Sequence, residues 1–485
     1  MGYYLTKRKG KSIIGKMIFL LQLIVSAGFS ALLWKSGMIP GRFLLIAVIV
    51  LLAMLGVVFI LLGEAFGFQF SGDKGNIVGA VLSIIVSLIL GIGIIYLAKA
   101  ESVLKNVGGA AYKTDNMIVV VRNEDPAEKI EDAKNYRFGI QTTLDQNNNT
   151  LMVKDVEKKV GREIKLIESE TIIDEAEALL SGRIEAAIYN EAYGSVIEEA
   201  IEGYSDQVRV LYQYGIETEI EKEETDIEKA FNIYISGIDV AGSISTNSRS
   251  DVNIIMTVNP VTKKILLTTT PRDYYVQIPG VSGEARDKLT HAGIYGVDRS
   301  MATLENIYDI DISYFARVNF TSLITIVDAL GGVNVESEYA FEAGGYSFKT
   351  GMNHLNGEQA LAFARERHSF KDGDNQRGKN QEAILKAILE RIMFPDILFQ
   401  ANEILDNVAD CVETNMTRDE MAKFINMQLS ERAAWEIETT AATGSGDKQA
   451  CFSSGAQQLY VMWPDEAVVS DISRKMKKIE GENEG

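Results

Sequence analysis

The chain has 485 residues, 48 Lys+Arg against 67 Asp+Glu, a net charge of −19 and a 46% hydrophobic share. That length suits two or three domains rather than one, and the composition is not that of a disordered chain. So acidic a protein is a poor nucleic-acid binder, because phosphate contacts need a basic footprint.

The charge is unevenly placed. Residues 1–110 hold ten Lys/Arg and three acids, a basic head of +7, which leaves −26 on the remainder. The head contains three uncharged apolar runs, Met17–Trp34, Phe43–Gly63 and Asn76–Ala98. Each is about long enough to cross a ~30 Å hydrocarbon core as a helix. Three runs in succession argue against buried soluble helices and against a cleaved leader. Five Lys/Arg before Met17 favour a cytoplasmic N-terminus, so three spans place residues from ~100 to 485 outside the cell. Cys411 and Cys451 both fall in that part. A disulfide between them is expected in such a compartment, with two buried thiols as the alternative.

Residues 111–225 alternate short apolar runs with helical patterns. Met117–Val121, Tyr136–Ile140, Ile184–Tyr189 and Val208–Tyr212 read as strands; Thr150–Val160 and Glu191–Ile201 read as helices. This alternation predicts a small accessory α/β domain. Its passage Leu179–Tyr189 loosely resembles one lobe of a solute-binding protein. No ligand motif accompanies it, so a spacer or a module docking envelope proteins fits equally. The charge-rich run Glu217–Glu228 reads as a linker, or as an exposed helix or edge strand.

Residues 231–470 predict a mixed β-sheet flanked by helices, an α/β (α+β) fold. Asn232–Ile238, Asp251–Val258 and Lys264–Thr270 are strands, the last two joined by a turn at Asn259–Lys263. A helix near Ser300–Tyr308 precedes a strand at Tyr314–Phe320. The helix Ser322–Leu330 is stopped by Gly331 and Gly332. Val333–Glu336 is a strand and Gly357–Arg365 a helix. Asn380–Phe394 is an amphipathic helix carrying Ile384, Leu385, Ile388, Leu389 and Ile392 on one face. Further on, Thr417-Arg-Asp-Glu420 resembles a capping box before an amphipathic helix. Trp435–Thr440 and Leu459–Trp463 are strands, and 471–485 is expected to be a flexible tail.

With three His in the chain, His291, His354 and His368, a His-based zinc site or a Ser-His-Asp triad is disfavoured. No P-loop, GxGxxG or GxSxG sits at a strand–helix junction. Ser250 and Thr268–Thr270 have no visible base partner. The chemistry instead falls on Arg and Asp. Arg249-Ser-Asp251 begins one strand, Pro271-Arg-Asp273 ends the next, Arg365-Glu-Arg367 ends a helix, and Asp374, Arg377, Lys379 and Gln381 open another. Arg holds phosphate oxygens bidentately. Asp239 and Asp251 beside such Arg are candidate Mg²⁺ ligands, since Mg²⁺ takes one or two carboxylates plus substrate phosphates. Arg, Asp and Mg²⁺ together suit phosphoryl transfer. Structural ion pairs at strand ends are the plainer alternative.

These stretches carry a resemblance. Gly237-Ile-Asp239, Ser248-Arg-Ser-Asp251, Pro271-Arg-Asp273, Lys288-Leu-Thr-His-Ala292, Arg317 with Asn319-Phe320, Val327-Asp-Ala-Leu-Gly-Gly-Val333, Leu355-Asn-Gly357 and Arg365-Glu-Arg367 with Asp374, Arg377 and Gln381 resemble, in order, the motifs of the LytR–CpsA–Psr family of cell-wall glycopolymer transferases. The motif core spans 231–390, and the match fades after ~395. A three-span anchor (1–110) followed by an accessory domain resembles the capsule-type, CpsA-like branch.

The resemblance implies transfer of a glycosyl phosphate from a polyprenyl-pyrophosphate carrier to peptidoglycan, assisted by Mg²⁺. It implies Arg272, Arg365, Arg367 and Arg377 on the pyrophosphate with Gln381 nearby. Asp239 and Asp251 would serve the metal, one of them assisting deprotonation of the acceptor. Arg249, Lys288 and Asp374 would support, His291 would hydrogen-bond structurally, and apolar helix faces would line a groove for the isoprenoid. The glycan, capsule or teichoic acid, stays open. A non-enzymatic envelope regulator or scaffold, or a polyprenyl-pyrophosphate hydrolase, are the alternatives.

Overall fold

The computed structural model describes residues 2–67, 73–107, 112–220, 225–238, 244–371, 373–393, 411–431 and 433–481. They divide into two compact units, 1–108 with 417–433, and 109–416 with 434–485.

The first unit holds helices α1 (Gly2–Ser36), α2 (Gly41–Leu61) and α3 (Asp73–Val107). Each contains a segment long and apolar enough to cross a membrane: Ile13–Ser36, Gly41–Leu61 and Lys74–Val107. Leu51, Val86 and Leu90 are buried where these helices meet, whereas Ile24, Leu45 and Leu88 stay exposed, as suits a surface solvated by lipid tails.

The helix Arg418–Glu431 belongs to this unit, although the sequence places it within the 231–470 domain. Its expected capping box forms: the Thr417 N–H donates to Glu420 Oε2 at 2.7 Å, and the Glu420 N–H to Thr417 Oγ1 at 3.3 Å. Arg418 meets Glu101 at 3.3 Å and donates to the Ser36 carbonyl at 2.9 Å, while Asn426 donates to the Gly37 carbonyl at 2.9 Å. The end of α1, the α1–α2 turn and the end of α3 therefore share one end of the bundle with this helix.

The second unit opens with a five-stranded sheet built from β1 (Tyr112–Arg122), β2 (Arg137–Gln141), β3 (Lys165–Ser169), β4 (Ala186–Asn190) and β5 (Val208–Glu219), in the order β3-β2-β4-β1-β5. Helices α4 (Gln146–Val160), α5 (Ile172–Leu180) and α6 (Gly194–Ala200) cover it. The charge-rich run expected as a linker begins as the far end of edge strand β5, whose Glu219 pairs with Tyr112. Its alternation of polar and β-branched residues suits a strand with one solvated face.

A six-stranded mixed sheet follows. β6 (Phe231–Ile238), β7 (Ser250–Asn259) and β8 (Lys264–Thr269) form an antiparallel meander. The β7–β8 turn closes as an Asx turn, Asn259 Oδ1 accepting from the Val261 and Thr262 N–H groups. Short β9 (Tyr275–Val276) and β10 (Asp287–Lys288) pair with each other and lead into α7 (Leu289–Ala292) and α8 (Val297–Tyr308). β11 (Tyr314–Asn319) then lies parallel to β6 and feeds α9 (Phe320–Ala329).

Strands β12 (Val333–Ser337), β13 (Phe341–Ala343), β14 (Tyr346–Phe348) and β15 (Gly351–Leu355) form two small ribbons before α10 (Gly357–Arg365) and α11 (Gly373–Met393). β16 (Glu413–Thr414) and β17 (Glu436–Ala441) complete the edges, giving β16-β11-β6-β7-β8-β17. β18 (Gly444–Ala450) and β19 (Gln458–Pro464) make a closing hairpin.

One face of the large sheet packs Tyr234, Ile255, Leu266 and Phe315 against Leu304, Tyr308, Ile472 and Met476. Ile472 and Met476 lie on a helix, Glu466–Glu480, which replaces the flexible tail expected from residue 471. Its charged composition hides an apolar stripe. Asp465 caps it by accepting from the Ala467 and Val468 N–H groups, and each buried apolar side chain is worth about 2 kcal/mol.

Helix α11 lies against β8 so closely that a Cβ on Gly378 would come 2.8 Å from Thr269 Cγ2. Its buried face centres on Asn380, Ile384 and Ala387, and Ile392 is exposed, unlike the face expected from the apolar stripe. The apolar faces of α9, α10 and α11 close into a core around Val327, Phe363 and Ile384. Leu323, Ile326, Ala383 and Ile388 of the same helices are only partly buried against that core.

Cys411 and Cys451 are buried but not joined in a disulfide. Cys411 leads into β16 at one edge of the sheet, while Cys451 packs with Leu459 and Val461 beside the β18–β19 hairpin.

Candidate active site

Antiparallel pairing puts the start of β7 beside the end of β8. Asp251 and Arg272 thereby meet along one edge of the sheet, the row of strand ends rather than an outer strand. Arg272 donates to Asp251 Oδ1 at 2.8 Å, with side chains only 19% and 15% exposed. The edge is also where β6, β8, β11 and β17 end, the position at which open α/β sheets hold ligands.

Helix α7 is pressed onto this edge. A Cβ on Gly293, just after it, would come 2.5 Å from the Ser248 carbonyl oxygen. Lys288, 3% exposed, is thereby held between Glu199 Oε1 at 2.5 Å and Asp273 Oδ1 at 3.5 Å. Arg249 faces the other oxygen of Glu199 at 3.9 Å.

Three adjoining cavities share Arg272. The largest, about 500 Å³, is lined by the cations Arg272, Lys288, Arg367 and Lys371 and the carboxylates Glu199 and Asp273, with Asn375 and Tyr460 among the rest. A second, about 300 Å³, lies between Arg249, Arg272, Lys288 and Thr290 and the accessory residues Ser195 and Glu199. An inner recess of about 40 Å³ is lined by Asp251, Asn253, Arg272, Arg377, Lys379 and Gln381.

Charge dominates the site. Burial works to raise the Asp251 carboxyl, but Arg272, then Arg249, and at longer reach Arg377 outweigh it and hold the group below its ordinary value. Glu199 behaves alike: burial raises it, and Lys288 outweighs the burial.

The expected residues divide as follows. Asp251, Arg249, Arg272, Lys288, Arg367, Arg377 and Gln381 line the three cavities that share Arg272. Gln381 also donates to the Ala364 carbonyl at 3.4 Å, tying α11 to the end of α10. Arg365 does not line these cavities; its guanidinium stacks on the Phe320 ring at 4.4 Å, because α10 ends beside the start of α9. Asp374 is in the first turn of α11. Asp239 lies outside the described residues.

Arg317 is a buried structural cation, meeting Glu413 of β16 at 2.9 Å without hydrogen-bond alignment. His291 is structural as expected: its Nδ1 is 2.6 Å from Asp287 and 2.9 Å from Ser453 Oγ. That geometry is no triad, since both partners sit on one ring nitrogen. Thr268 and Thr270 are buried, and Thr270 pairs with the Tyr308 hydroxyl at 2.9 Å.

Among the described residues no group of three His, Cys, Asp or Glu could hold a metal ion. Asp251 Oδ1 is taken by Arg272, and Asp251 lines the inner recess. One carboxylate there fits a hard cation that draws its remaining ligands from substrate and water.

Two groups escaped the sequence. Glu199 sits in an acidic helical run with nothing to mark it. Glu382, on α11, accepts from Thr269 Oγ1 at 3.0 Å, and burial pushes its carboxyl up to about 7; its amphipathic helix gave no hint of a buried acid.

The LytR_cpsA_psr family model matches residues 200–478, more than half of the chain and well past the point where its motifs fade by eye. A DNA polymerase processivity factor model matches residues 73–189, an apolar helix and most of the accessory sheet. Polyisoprenyl-teichoic acid–peptidoglycan teichoic acid transferase TagU of Bacillus mycoides is 33% identical over 292 residues, covering 60% of this chain and 90% of that protein. Its namesake from Enterococcus faecalis is 33% identical over 226 residues, 46% of this chain and 73% of that one. The crystal structure of B. subtilis TagV covers 53% of this chain and 99% of its own at 27% identity, with a TM-score of 0.45. This chain belongs to the LytR–CpsA–Psr family.

Proposed function

We propose that the chain is a membrane-anchored transferase that moves a glycosyl phosphate from a polyprenyl-pyrophosphate carrier to a peptidoglycan hydroxyl outside the membrane. The observation that carries this reading is the convergence of Arg249, Arg272 and Arg377 on Asp251, beside a cavity that Arg367 and Lys371 also line. The names of the relatives supply the carrier and acceptor classes, a polyisoprenyl-linked teichoic acid and peptidoglycan.

In this mechanism the guanidinium groups hold the pyrophosphate oxygens and stabilise charge as it builds in the transition state. The acceptor hydroxyl oxygen attacks the glycan-bearing phosphorus as its proton passes to solvent. The bond from that phosphorus to the bridging oxygen breaks, and polyprenyl phosphate leaves with the bridging oxygen. Asp251, kept ionised by its Arg neighbours, suits holding a cation rather than donating a proton. Its carboxylate is the described group that would hold Mg²⁺, which neutralises phosphate charge when bound. Asp239 and Asp374 are proposed to assist on the motif resemblance alone, as is Arg365.

Asp251→Ala and Arg272→Ala should each abolish glycopolymer attachment to the wall in cells relying on this protein. Wild-type attachment by both variants would overturn the enzyme and leave the scaffold reading. Product analysis separates transfer from hydrolysis, since a glycan–peptidoglycan linkage means the former and free glycan phosphate the latter. Residues 112–481 should be open to an impermeant protease added outside the cell, and protection there would overturn the proposed topology.

A further inference from the structure

Two adjacent acids on the accessory helix α6 behave differently. The Glu198 carboxylate accepts from the Gly203 N–H at 2.7 Å and the Ser205 N–H at 2.8 Å, so it holds its own turn. Glu199 instead leaves its domain. It reaches across to Lys288 at 2.5 Å and faces Arg249 at 3.9 Å, with about a third of its side chain still exposed (31%) in the cavity.

Its effect on the cavity is one-sided. At the accessory end, Lys288 faces Glu199 and Asp273, Arg249 faces Glu199, Arg272 and Glu198 also line the space, and the remaining lining is Ser195 and Thr290. That end is close to neutral. At the other end Arg367 and Lys371 line the wall beside Asn375, in a cavity that Arg272, Lys288, Glu199 and Asp273 also border. The adjoining cavities therefore share Arg272, Asp273, Lys288 and Glu199, and extend on one side to the added cations Arg367 and Lys371 and on the other to Ser195 and Thr290, where cations and carboxylates balance. Phosphate groups suit the first. A sugar suits the second, since its hydroxyls can donate to Glu199 and exchange hydrogen bonds with Ser195 and Thr290.

We propose that Glu199 of the accessory domain is a specificity-determining residue, which confines the pyrophosphate to the Arg272–Arg367–Lys371 end and reserves the accessory end for the hydroxyl-bearing sugar next to it. This rests on the reading of the site as a pyrophosphate site, and gives the accessory domain a share in that site.

The test measures binding to the full chain in detergent, with two probes: inorganic pyrophosphate, and a short-chain prenyl pyrophosphate carrying one hexosamine. Glu199→Gln keeps the shape and removes the charge. It should bind inorganic pyrophosphate roughly tenfold more tightly, as loss of one repelling charge within the site allows, while the glycosylated probe gains nothing. The preference for the glycosylated probe thus shrinks. Glu199→Asp keeps the charge and should retain the wild-type preference, which a merely structural role would not require.

An unchanged ratio of the two affinities in Glu199→Gln overturns the assignment, as does equal tightening of both probes, which makes Glu199 a plain counter-ion. Arg367→Ala separates this from the underlying reading. If it weakens pyrophosphate binding while Glu199→Gln changes nothing, only Glu199 is misassigned. If Arg367→Ala also changes nothing, the pyrophosphate site itself falls and this inference with it.

Discussion

Asp251→Asn offers the most direct test of the site, because it removes one charge and almost no volume. The wild-type carboxylate meets Arg272 at 2.8 Å with both side chains mostly buried. Two unit charges about 4 Å apart are worth ~4 kcal/mol at an effective dielectric constant of ~20. Desolvation cancels much of that, leaving about 1–3 kcal/mol.

The sign follows from the direction of the shift. The carboxyl is held below its ordinary value, so its contribution to stability is present above the ordinary carboxylate range. It is lost only as pH falls through the depressed value. Across neutral pH the pair is intact, and the variant should melt a few degrees lower. Transfer should suffer far more, by about 10²–10³ in rate, the cost of removing one group that stabilises developing charge. Binding of inorganic pyrophosphate without metal should not weaken, since the surrounding Arg residues lose a competing anion.

The assay is transfer of labelled glycan from a polyprenyl-pyrophosphate donor to peptidoglycan in proteoliposomes, run beside pyrophosphate binding. Transfer at the wild-type rate would refute the role of Asp251. Weakened pyrophosphate binding with matching loss of transfer would refute the division between cation-holding and phosphate-holding groups.

Other outcomes follow from buried charge. Glu175 is wholly enclosed by the accessory sheet and α5, and burial pushes its carboxyl up to about 8 from 4.5. The folded state therefore keeps a proton that the unfolded chain releases, and stability falls as pH rises through that window. Glu175→Gln should flatten this slope and stabilise the domain at pH 8 by on the order of a few kcal/mol; an unchanged pH slope in urea unfolding would contradict it. Glu413→Ala leaves Arg317 buried opposite an empty position and should cost about 3–5 kcal/mol, read as a drop in melting temperature, whereas a neutral result would show that water reaches Arg317. Cys411 and Cys451 should both resist maleimide in the native protein and both react after denaturation without reductant. Burial pushes the Cys451 thiol up to about 12, so rapid native labelling would contradict its placement, and labelling that requires reductant would restore the disulfide.

The sequence by itself determined the features that depend on short-range pattern. Apolar length marked three helices long enough to cross a membrane, and alternation marked the β6–β8 meander. The order of Arg- and Asp-bearing motifs marked the family, because those stretches keep their spacing whatever surrounds them. It also singled out Asp251 and Arg272, since each lies at the end of a readable strand.

Only the tertiary structure decided which of these charges meet. Asp251 touches Arg272 because β7 and β8 pair antiparallel, whereas Arg365 turns onto Phe320 because α10 ends beside α9. Glu199 enters the site from another domain, the helix Arg418–Glu431 leaves its neighbours for the anchor, and the charged end of the chain buries Ile472 and Met476. A charge acts over a few ångströms in a poorly hydrated space, and sequence spacing does not report distances made by strand pairing and domain packing. The acidic total thus resolves, at the strand ends, into a cluster of cations faced by carboxylates, among them Glu198 and Glu199 from the accessory sheet's side.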